Sequence, residues 1–444
     1  MPAPSRAERL LTSSPSRAIL ELAVPTTAVM VLGATSGIVS TYFVSRLGSD
    51  AIAAVSLVFP INLIVMTMMG GGIGSGVSAA VAQALGAGRA DDAERVAEHA
   101  FVLTAGLSVV LTTLFVGGAP MLFRWMGGQG RVLAGAVVFA RVLFSGVLIT
   151  FTVSTFDAIL RGEGNVRVPS TWSTVSLTLQ IVLTPLFMFP LGMGLAGAAA
   201  ATIIGQMLGS LPRAHYVFSG NASVHPRLFP SPLVSRPIRD ILRVGVPASL
   251  ATLANYLGLL LLTAIVARYG SAEIAAFGLG TRLDFLIITL AFGVGSALLT
   301  LVGLAAGAGD LPRVGALVSR AVALVTVMLS AIALLLICKP MLWLGMFTHE
   351  PAIVATGGAY LRILAPSYPF LGMSMACSFT FQGLGRAVFP LVLVTVRTTI
   401  VVVAAVLLTV AGAPVWSVFA VMAVGNVASS VVLYWQLRSL LGAV

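Results

Sequence analysis

Apolar runs of about 20 residues recur along the whole chain, and they restrict its fold more than any other feature. As helices they are long enough to cross a hydrocarbon core of about 30 Å. Spanning strands would alternate apolar and polar residues, and the run at 102–116 does not alternate. Since 58% of the 444 residues are hydrophobic and only 9% are charged, the sequence predicts an all-α, polytopic protein of the lipid bilayer.

Twelve transmembrane helices are predicted from these runs. They cover 18–45, 51–85, 96–119, 136–160, 170–190, 195–218, 240–267, 273–306, 315–338, 353–381, 388–411 and 414–437. Most loop arginines fall on one side of this topology, and arginine favours the cytoplasmic side. Both termini are therefore expected in the cytoplasm, and residues 1–17 form a polar N-terminal tail with no cleaved signal.

The chain also contains an internal repeat. Residues 46–54 (RLGSDAIAA) align with 268–276 (RYGSAEIAA), a shift of 268 − 46 = 222. The RGEG at 161–164 aligns with the QGLG at 382–385 at a shift of 221. Because each repeat holds six helices, an even number, both halves face the same way, which predicts two six-helix lobes related by a parallel repeat.

A polar segment separates the two repeats. Residues 219–238 carry four prolines and two arginines and no long apolar run. We therefore predict an N-lobe at 18–218, a cytoplasmic linker at 219–238 and a C-lobe at 239–444. A cleft between two such lobes is the place where a transporter exposes a central site to each side of the membrane in turn.

Several of these stretches resemble one transporter family. YFVSRLGSDAIAAVSL, AQALGAGRADDAERV and LRGEGNVRVP in the first half, with ARYGSAEIAAFGLGTRLDFL, GLAAGAGDLPRV and FQGLGRAVFP in the second, are similar to the multidrug and toxic compound extrusion (MATE) transporters. The resemblance covers about residues 15 to 440. It implies twelve helices around a central cavity and export of organic, cationic or amphiphilic compounds against inward protons or sodium ions.

Two positions depart from the pattern of this family. Many members carry an aspartate in the first span and another in the fifth, where this chain has Ser40 and Thr184. Neither hydroxyl titrates near physiological pH. A cation site in the N-lobe is therefore in doubt, although both oxygens remain candidates for the central cavity.

Asp284 is the strongest candidate for coupling transport to a cation. It lies about 12 residues, or about 18 Å, inside the eighth span, near the middle of the bilayer. Intramembrane acids usually mark an ion or substrate path. We expect its protonation and deprotonation to alternate with binding of a cationic substrate. The other interpretation is a permanent ion pair with Arg397, whose depth in the eleventh span is similar to that of Asp284.

Other polar and aromatic residues are weaker candidates for the substrate cavity. Asn62 occupies the N-lobe position equivalent to Asp284, and Asp157 lies near the end of the fourth span. The remaining candidates are Asn255, Tyr256 and Phe285. Amides and phenylalanines in helical bundles more often join or pack neighbouring helices than bind a ligand. The glycines at 70–72 are expected to permit close helix approach or bending.

The composition argues against other classes of function. The net charge of +11 reflects loop arginines rather than a nucleic-acid surface, and no cluster of acids, histidines or nucleophile with its base indicates an enzyme. No cofactor is expected, and a lone carboxylate favours protons over sodium as the coupling ion. The leading hypothesis is an exporter of small organic compounds in a bacterial cytoplasmic (inner) membrane; a flippase of lipid-linked or amphiphilic precursors is the alternative.

Overall fold

The computed structural model describes residues 6–227 and 234–442. After a short helix, Arg6–Thr12, twelve helical elements follow in the described chain. They are α1 (Pro15–Ser45), α2 (Ser49–Gly86), α3 (Ala90–Gly117), α4 (Gly130–Ser145 with Val147–Gly162), α5 (Arg167–Met188), α6 (Gly194–Phe218), α7 (Ser235–Val266), α8 (Ser271–Gly307), α9 (Leu311–Cys338), α10 (Pro351–Leu364 with Tyr368–Gly383), α11 (Val388–Val410) and α12 (Val415–Gly442). Short helices at Ala119–Trp125 and Met341–Leu344 lie in the loops.

The twelve elements match the predicted spans one for one. Within the described ranges, ten are continuous helices that are long and apolar enough to cross a membrane, and α4 qualifies as a pair bent by 45°. In α10, the 3₁₀ turn Ala365–Ser367 separates two helices of 14 and 16 residues, each too short alone. The predicted all-α architecture is confirmed.

Two of the spanning helices contain an irregular turn. Pro366 lies in the 3₁₀ turn of α10, where its ring removes a backbone N–H and disfavours α conformation in the residue before it. In α2, the run Met68–Ile73 (MMGGGI) forms a π-helical turn. Such turns inside a spanning helix often mark functional positions.

The lobes meet at helix middles through the glycine run of α2. A Cβ placed on Gly72 would overlap Ser249 of α7. The hydroxyl of Ser249 donates to the carbonyl oxygen of Met68 at 3.2 Å. Gly72 therefore permits close approach of two helices from different lobes, as the sequence indicated for this run.

The lobes are also joined at the arginine-rich end of the bundle. Gly86 of α2 leaves no room for a Cβ against the carbonyl of Leu304 in α8. Gln83 Nε2 donates to the carbonyl oxygen of Gly383 at 2.6 Å. Thr300 donates to the carbonyl oxygen of Arg161 at 3.0 Å. These inter-lobe contacts lie on the side that the sequence assigns to the cytoplasm.

The N-terminal segment is more ordered than the predicted polar tail at 1–17. Residues 6–12 form a helix, and α1 already begins at Pro15; residues 1–5 lie outside the described chain. Leu10 is 4% exposed. Arg313 at the start of α9 donates to the carbonyl oxygens of Leu10 and Ser13, at 2.6 and 2.8 Å. The segment thus ties the start of the N-lobe to the C-lobe.

The described part of the inter-lobe linker is bound to the N-lobe. Linker residues 228–233 lie outside the described chain. Before them, the backbone N–H of Ser223 donates to Oε2 of Glu163 at 2.6 Å. Burial raises the pKa of Glu163 above its ordinary value of 4.5, while the bond from Ser223 and the charge of Arg6 act in the opposite direction. A buried acid in the loop after α4 therefore anchors the linker.

Candidate functional site

Asp284 lies inside the C-lobe and is held by two tyrosines of α10. It is partly buried on α8, 13 residues or about 20 Å from the start of that helix at Ser271. Tyr360 donates to its Oδ2 at 2.5 Å, and Tyr368 donates to its Oδ1 at 2.7 Å. A carboxylate at this depth costs at least about 2.5 to 3.5 kcal/mol to insert. The two hydroxyl donors offset part of that cost.

The two tyrosines come from opposite sides of the break in α10. Tyr360 lies in the first half and Tyr368 begins the second, with the turn Ala365–Ser367 between them. Both are almost fully buried, at 0% and 1% exposure. One carboxylate therefore joins the two halves of a broken helix.

Aromatic packing positions Tyr360 against α8. Its ring lies over Gly280, one helical turn before Asp284, where a Cβ would come within 2.8 Å of its Cζ. Phe277 and Phe419 meet the same ring edge-on, with centroids at 5.8 and 5.0 Å. The hydroxyl is thus directed at the carboxylate by a packed aromatic cluster.

Arg397 does not pair with Asp284. Its guanidinium donates instead to Oδ1 of Asn255 on α7 at 2.7 Å and to Oδ1 of Asn426 on α12 at 3.1 Å. No ion pair involves either Arg397 or Asp284 in the described chain. The alternative of a fixed pair is therefore wrong for this structure; similar depth along two helices did not imply contact, because neighbouring amides and tyrosines occupy both groups.

The two charged groups are nevertheless attached to the same turn. Asn426 Nδ2 donates to the hydroxyl of Ser367 at 3.4 Å, and Ser367 is the last residue of the 3₁₀ turn, next to Tyr368. Hydrogen-bonded polar groups thus connect Arg397 through Asn426 to the 3₁₀ turn of α10. Both ends of the series belong to the C-lobe.

The aromatic candidates lie beside these groups. The rings of Tyr256 and Phe285 stack between α7 and α8, with centroids 6.5 Å apart and planes inclined by 25°. Phe285 remains 40% exposed, and Asn255 is exposed next to Tyr256. Tyr256 and Phe285 therefore lie together. Phe285 follows Asp284 in sequence, and Asn255, which precedes Tyr256, bonds to Arg397.

The N-lobe candidates do not form a matching group. Thr184 is buried and donates to the carbonyl of Gln180 at 2.7 Å. Ser40 and Asn62 are partly exposed. The hydroxyl of Thr184 is thus used within its own helix, and the structure brings the polar chemistry together in the C-lobe instead.

Asp157 has a structural partner. Nε of Arg213 on α6 donates to its Oδ1 at 2.7 Å, and the arginine side chain is 0% exposed. Arg213 also donates to the carbonyl oxygens of Gly209 and Pro169 and to the hydroxyl of Ser173. This network joins α4, α5 and α6, and Asp157 is one of its members.

Three contributors were not identified as such from the sequence. The sequence did not predict Tyr360, Asn426 or Arg213 as a site residue. An aromatic hydroxyl near the depth of an intramembrane acid was the available signal for Tyr360. Nothing in the spacing distinguished Asn426 from amides that join helices.

Comparison with known proteins decides the family. The family model described as MatE matches residues 25–186 and 247–407. The chain belongs to the MATE family. The two matched segments begin 247 − 25 = 222 residues apart and end 407 − 186 = 221 apart, which reproduces the shifts of the internal repeat. MATE proteins are membrane transporters, and the MATE architecture is twelve helices in two lobes.

Individual MATE relatives agree with this assignment. A FAD transporter of Shewanella oneidensis is 24% identical over 86% of both chains. A probable multidrug resistance protein, NorM, of Thermotoga maritima is 24% identical over 84% of this chain and 81% of its own length. An outward-facing structure of a multidrug resistance MATE transporter superposes with a TM-score of 0.91 at 27% identity and covers 98% of each chain. As a MATE protein, this chain is a multi-pass transporter of small molecules.

Proposed function

We propose that this transporter exports amphiphilic organic compounds in exchange for protons, by alternating access of the two lobes. Its multidrug resistance relatives support a broad range of small-molecule substrates. The observation that carries the proton coupling is the placement of Asp284 between Tyr360 and Tyr368, across the break in α10. No other carboxylate of the described chain joins two halves of a spanning element.

Protonation of Asp284 would release this connection. An ionised carboxylate accepts through both oxygens, whereas a protonated one has turned one oxygen into a donor. The hydrogen bond from the tyrosine that faces the protonated oxygen then loses its charge assistance and is weakened. The halves of α10 are then free to reorient at the 3₁₀ turn. A two-state hinge of this kind converts a local charge change into a movement of the lobe.

The geometry favours protons over sodium ions. Sodium requires several converging oxygens with free lone pairs, and each oxygen of Asp284 already accepts a hydrogen bond from one of the two tyrosines that enclose it. The same enclosure argues against direct contact between Asp284 and a bulky organic cation. We therefore assign Asp284 to the proton and place the substrate beside it, at the exposed rings of Tyr256 and Phe285.

The closed end of the bundle supports an outward-facing state. Gly86, Gln83 and Thr300 join the lobes at the arginine-rich end, and this end is cytoplasmic by the distribution of arginine. The similarity to an outward-facing transporter agrees. Both termini are then cytoplasmic, and the membrane is the bacterial inner membrane.

Transport by reconstituted protein tests the proposal. Proteoliposomes loaded with rhodamine 123 or fluorescein are given a proton gradient or a sodium gradient, and efflux is measured for wild type and Asp284→Asn. We expect proton-driven efflux that the variant loses, and no sodium-driven efflux. Asp50→Asn removes an exposed acid from the first turn of α2 and should transport normally.

Two outcomes would overturn the proposal. If the wild-type protein exports dye at the same rate with and without a proton gradient, proton exchange is excluded. Normal coupling in Asp284→Asn would show that this carboxylate only stabilises the lobe.

A further inference from the structure

Arg397 is a cation in the middle of the bundle that lacks an anionic partner. It lies nine residues, or about 14 Å, along α11 from Val388, and no carboxylate lies within ion-pair distance in the described chain. Its two partners are neutral amides. Intramembrane cations usually face a cavity and pair with an opposite charge. The guanidinium of Arg397 is therefore available to pair with an anion that the described chain does not supply.

The two amides are oriented by the guanidinium. An arginine offers only donors, so the oxygen of each amide must face it. Asn255 then turns its NH₂ group away from Arg397, and no acceptor for that group is found among the described residues. The bonds to Asn255 and Asn426 use two of the five guanidinium N–H groups, so the remaining donors have no protein acceptor in the described chain.

Asn255, which accepts a hydrogen bond from Arg397, directly precedes Tyr256 of the aromatic surface proposed for the substrate. Asn255 is exposed, and Tyr256 beside it stacks on Phe285, which is 40% exposed. The group is therefore electropositive and donor-rich at one end and apolar and flat next to it. An anionic oxygen group attached to an aromatic or apolar body matches both parts.

We propose that Arg397 and Asn255 form an anion subsite, which binds a carboxylate or phosphate group of the transported molecule. The inference rests on the proposed function for its transport context and adds the chemical class of the substrate: amphiphiles with an anionic end. The planar guanidinium binds the two oxygens of such a group side by side. Asp284 remains the proton site, so Asp284 and Arg397 bind different ligands.

Equilibrium binding to the full chain in nanodiscs tests this subsite without any gradient. Fluorescein is anionic and rhodamine 123 is cationic at mildly alkaline pH, and the two dyes share one ring system. In fluorescence anisotropy, Arg397→Gln should weaken fluorescein binding by at least about ten-fold, because it removes charge-assisted hydrogen bonds. Binding of rhodamine 123 should stay the same or tighten.

Two further variants separate binding from folding. Asn255→Asp keeps the arginine but supplies it with an internal carboxylate, so it should lose fluorescein binding as Arg397→Gln does. Arg362→Gln removes an exposed arginine of α10 in the same lobe and should bind both dyes like wild type. Arg397→Lys keeps the charge and should retain part of the fluorescein affinity.

The outcomes are decisive for the subsite alone. Equal weakening of both dyes by Arg397→Gln, or unchanged fluorescein binding in Asn255→Asp, would overturn it. The subsite stands if fluorescein binding depends on Arg397 even where proton-driven efflux fails. Conversely, loss of the subsite leaves proton coupling through Asp284 intact.

Discussion

The ring of Tyr360 lies directly over Gly280, and no side chain larger than hydrogen fits beneath it. Because Gly280 precedes Asp284 by one turn of α8, this contact also sets the height at which the tyrosine hydroxyl meets the carboxylate. The site therefore depends on a residue that has no functional group of its own.

Gly280→Ala should disturb the site through this contact. The added methyl group displaces the Tyr360 ring, which we expect to cost about 1 to 3 kcal/mol of unfolding free energy and to reduce proton-driven efflux by about ten-fold. Thermal unfolding and proteoliposome efflux measure the two effects. The control is Gly278→Ala, where a Cβ meets nothing within 4 Å; equal loss in both variants would contradict the prediction.

Asp157→Asn should affect stability far more than transport. The substitution leaves the fully buried charge of Arg213 without its partner, which costs about 3 to 5 kcal/mol. Folded yield and melting temperature should fall, while efflux per folded molecule persists. Asp92→Asn breaks an exposed pair with Arg89 and should change stability by less than about 1 kcal/mol. If Asp157→Asn folds and binds dye but does not transport it, Asp157 has a direct role in transport and the prediction is wrong.

Glu163→Gln should alter the pH dependence of stability. Burial raises the pKa of Glu163 in the folded protein, so its contribution is fully present below the unfolded pKa and is lost as pH rises through the folded pKa. Gln keeps an acceptor for Ser223 but cannot ionise. The melting temperature of wild type relative to Glu163→Gln should therefore fall as the pH rises from below the ordinary pKa of 4.5 through the raised pKa of the folded protein. The prediction is contradicted if the melting temperature of wild type minus that of Glu163→Gln stays constant or increases as the pH rises.

Gly86→Ala should favour the opposite arrangement of the lobes. A Cβ at Gly86 collides with the backbone of Leu304, and backbone cannot move aside as a flexible side chain can. Spin labels at the exposed positions Asp91 and Arg320 should report a longer inter-lobe distance at the arginine-rich end. Gly315→Ala, where a Cβ meets nothing within 4 Å, should keep the wild-type distance. An unchanged distance in Gly86→Ala would show that the closed end tolerates the methyl group.

The sequence predicted the helices and the repeat because both depend on local patterns. Hydrophobic length defines a membrane span, and the repeat is visible as aligned residues such as 46–54 and 268–276. The depth of Asp284 followed from the helical rise. These properties need no knowledge of which helices touch.

The partners of the charged residues could not be predicted in the same way. Arg397 and Asp284 were placed at similar depth, but which residue faces which depends on helix rotation and on the broken helix α10. Asp157 found Arg213 across 56 residues of chain, and Tyr360 reached Asp284 across 76. Sequence spacing within one helix carries no information on such distant contacts.

The presence of Asn62 where the C-lobe has Asp284 sets the electrical balance of the proposed cycle. With one proton site, exchange of a proton for a monovalent cation moves no net charge, and only the pH difference drives it, at about 1.4 kcal/mol per unit. Exchange for a monovalent anion moves two charges in the favourable sense. Each 100 mV of membrane potential then contributes about 4.6 kcal/mol, twice the value of about 2.3 kcal/mol for a single charge. If Asp284 carries one proton and Arg397 binds an anionic substrate, the membrane potential would therefore supply most of the driving force for export.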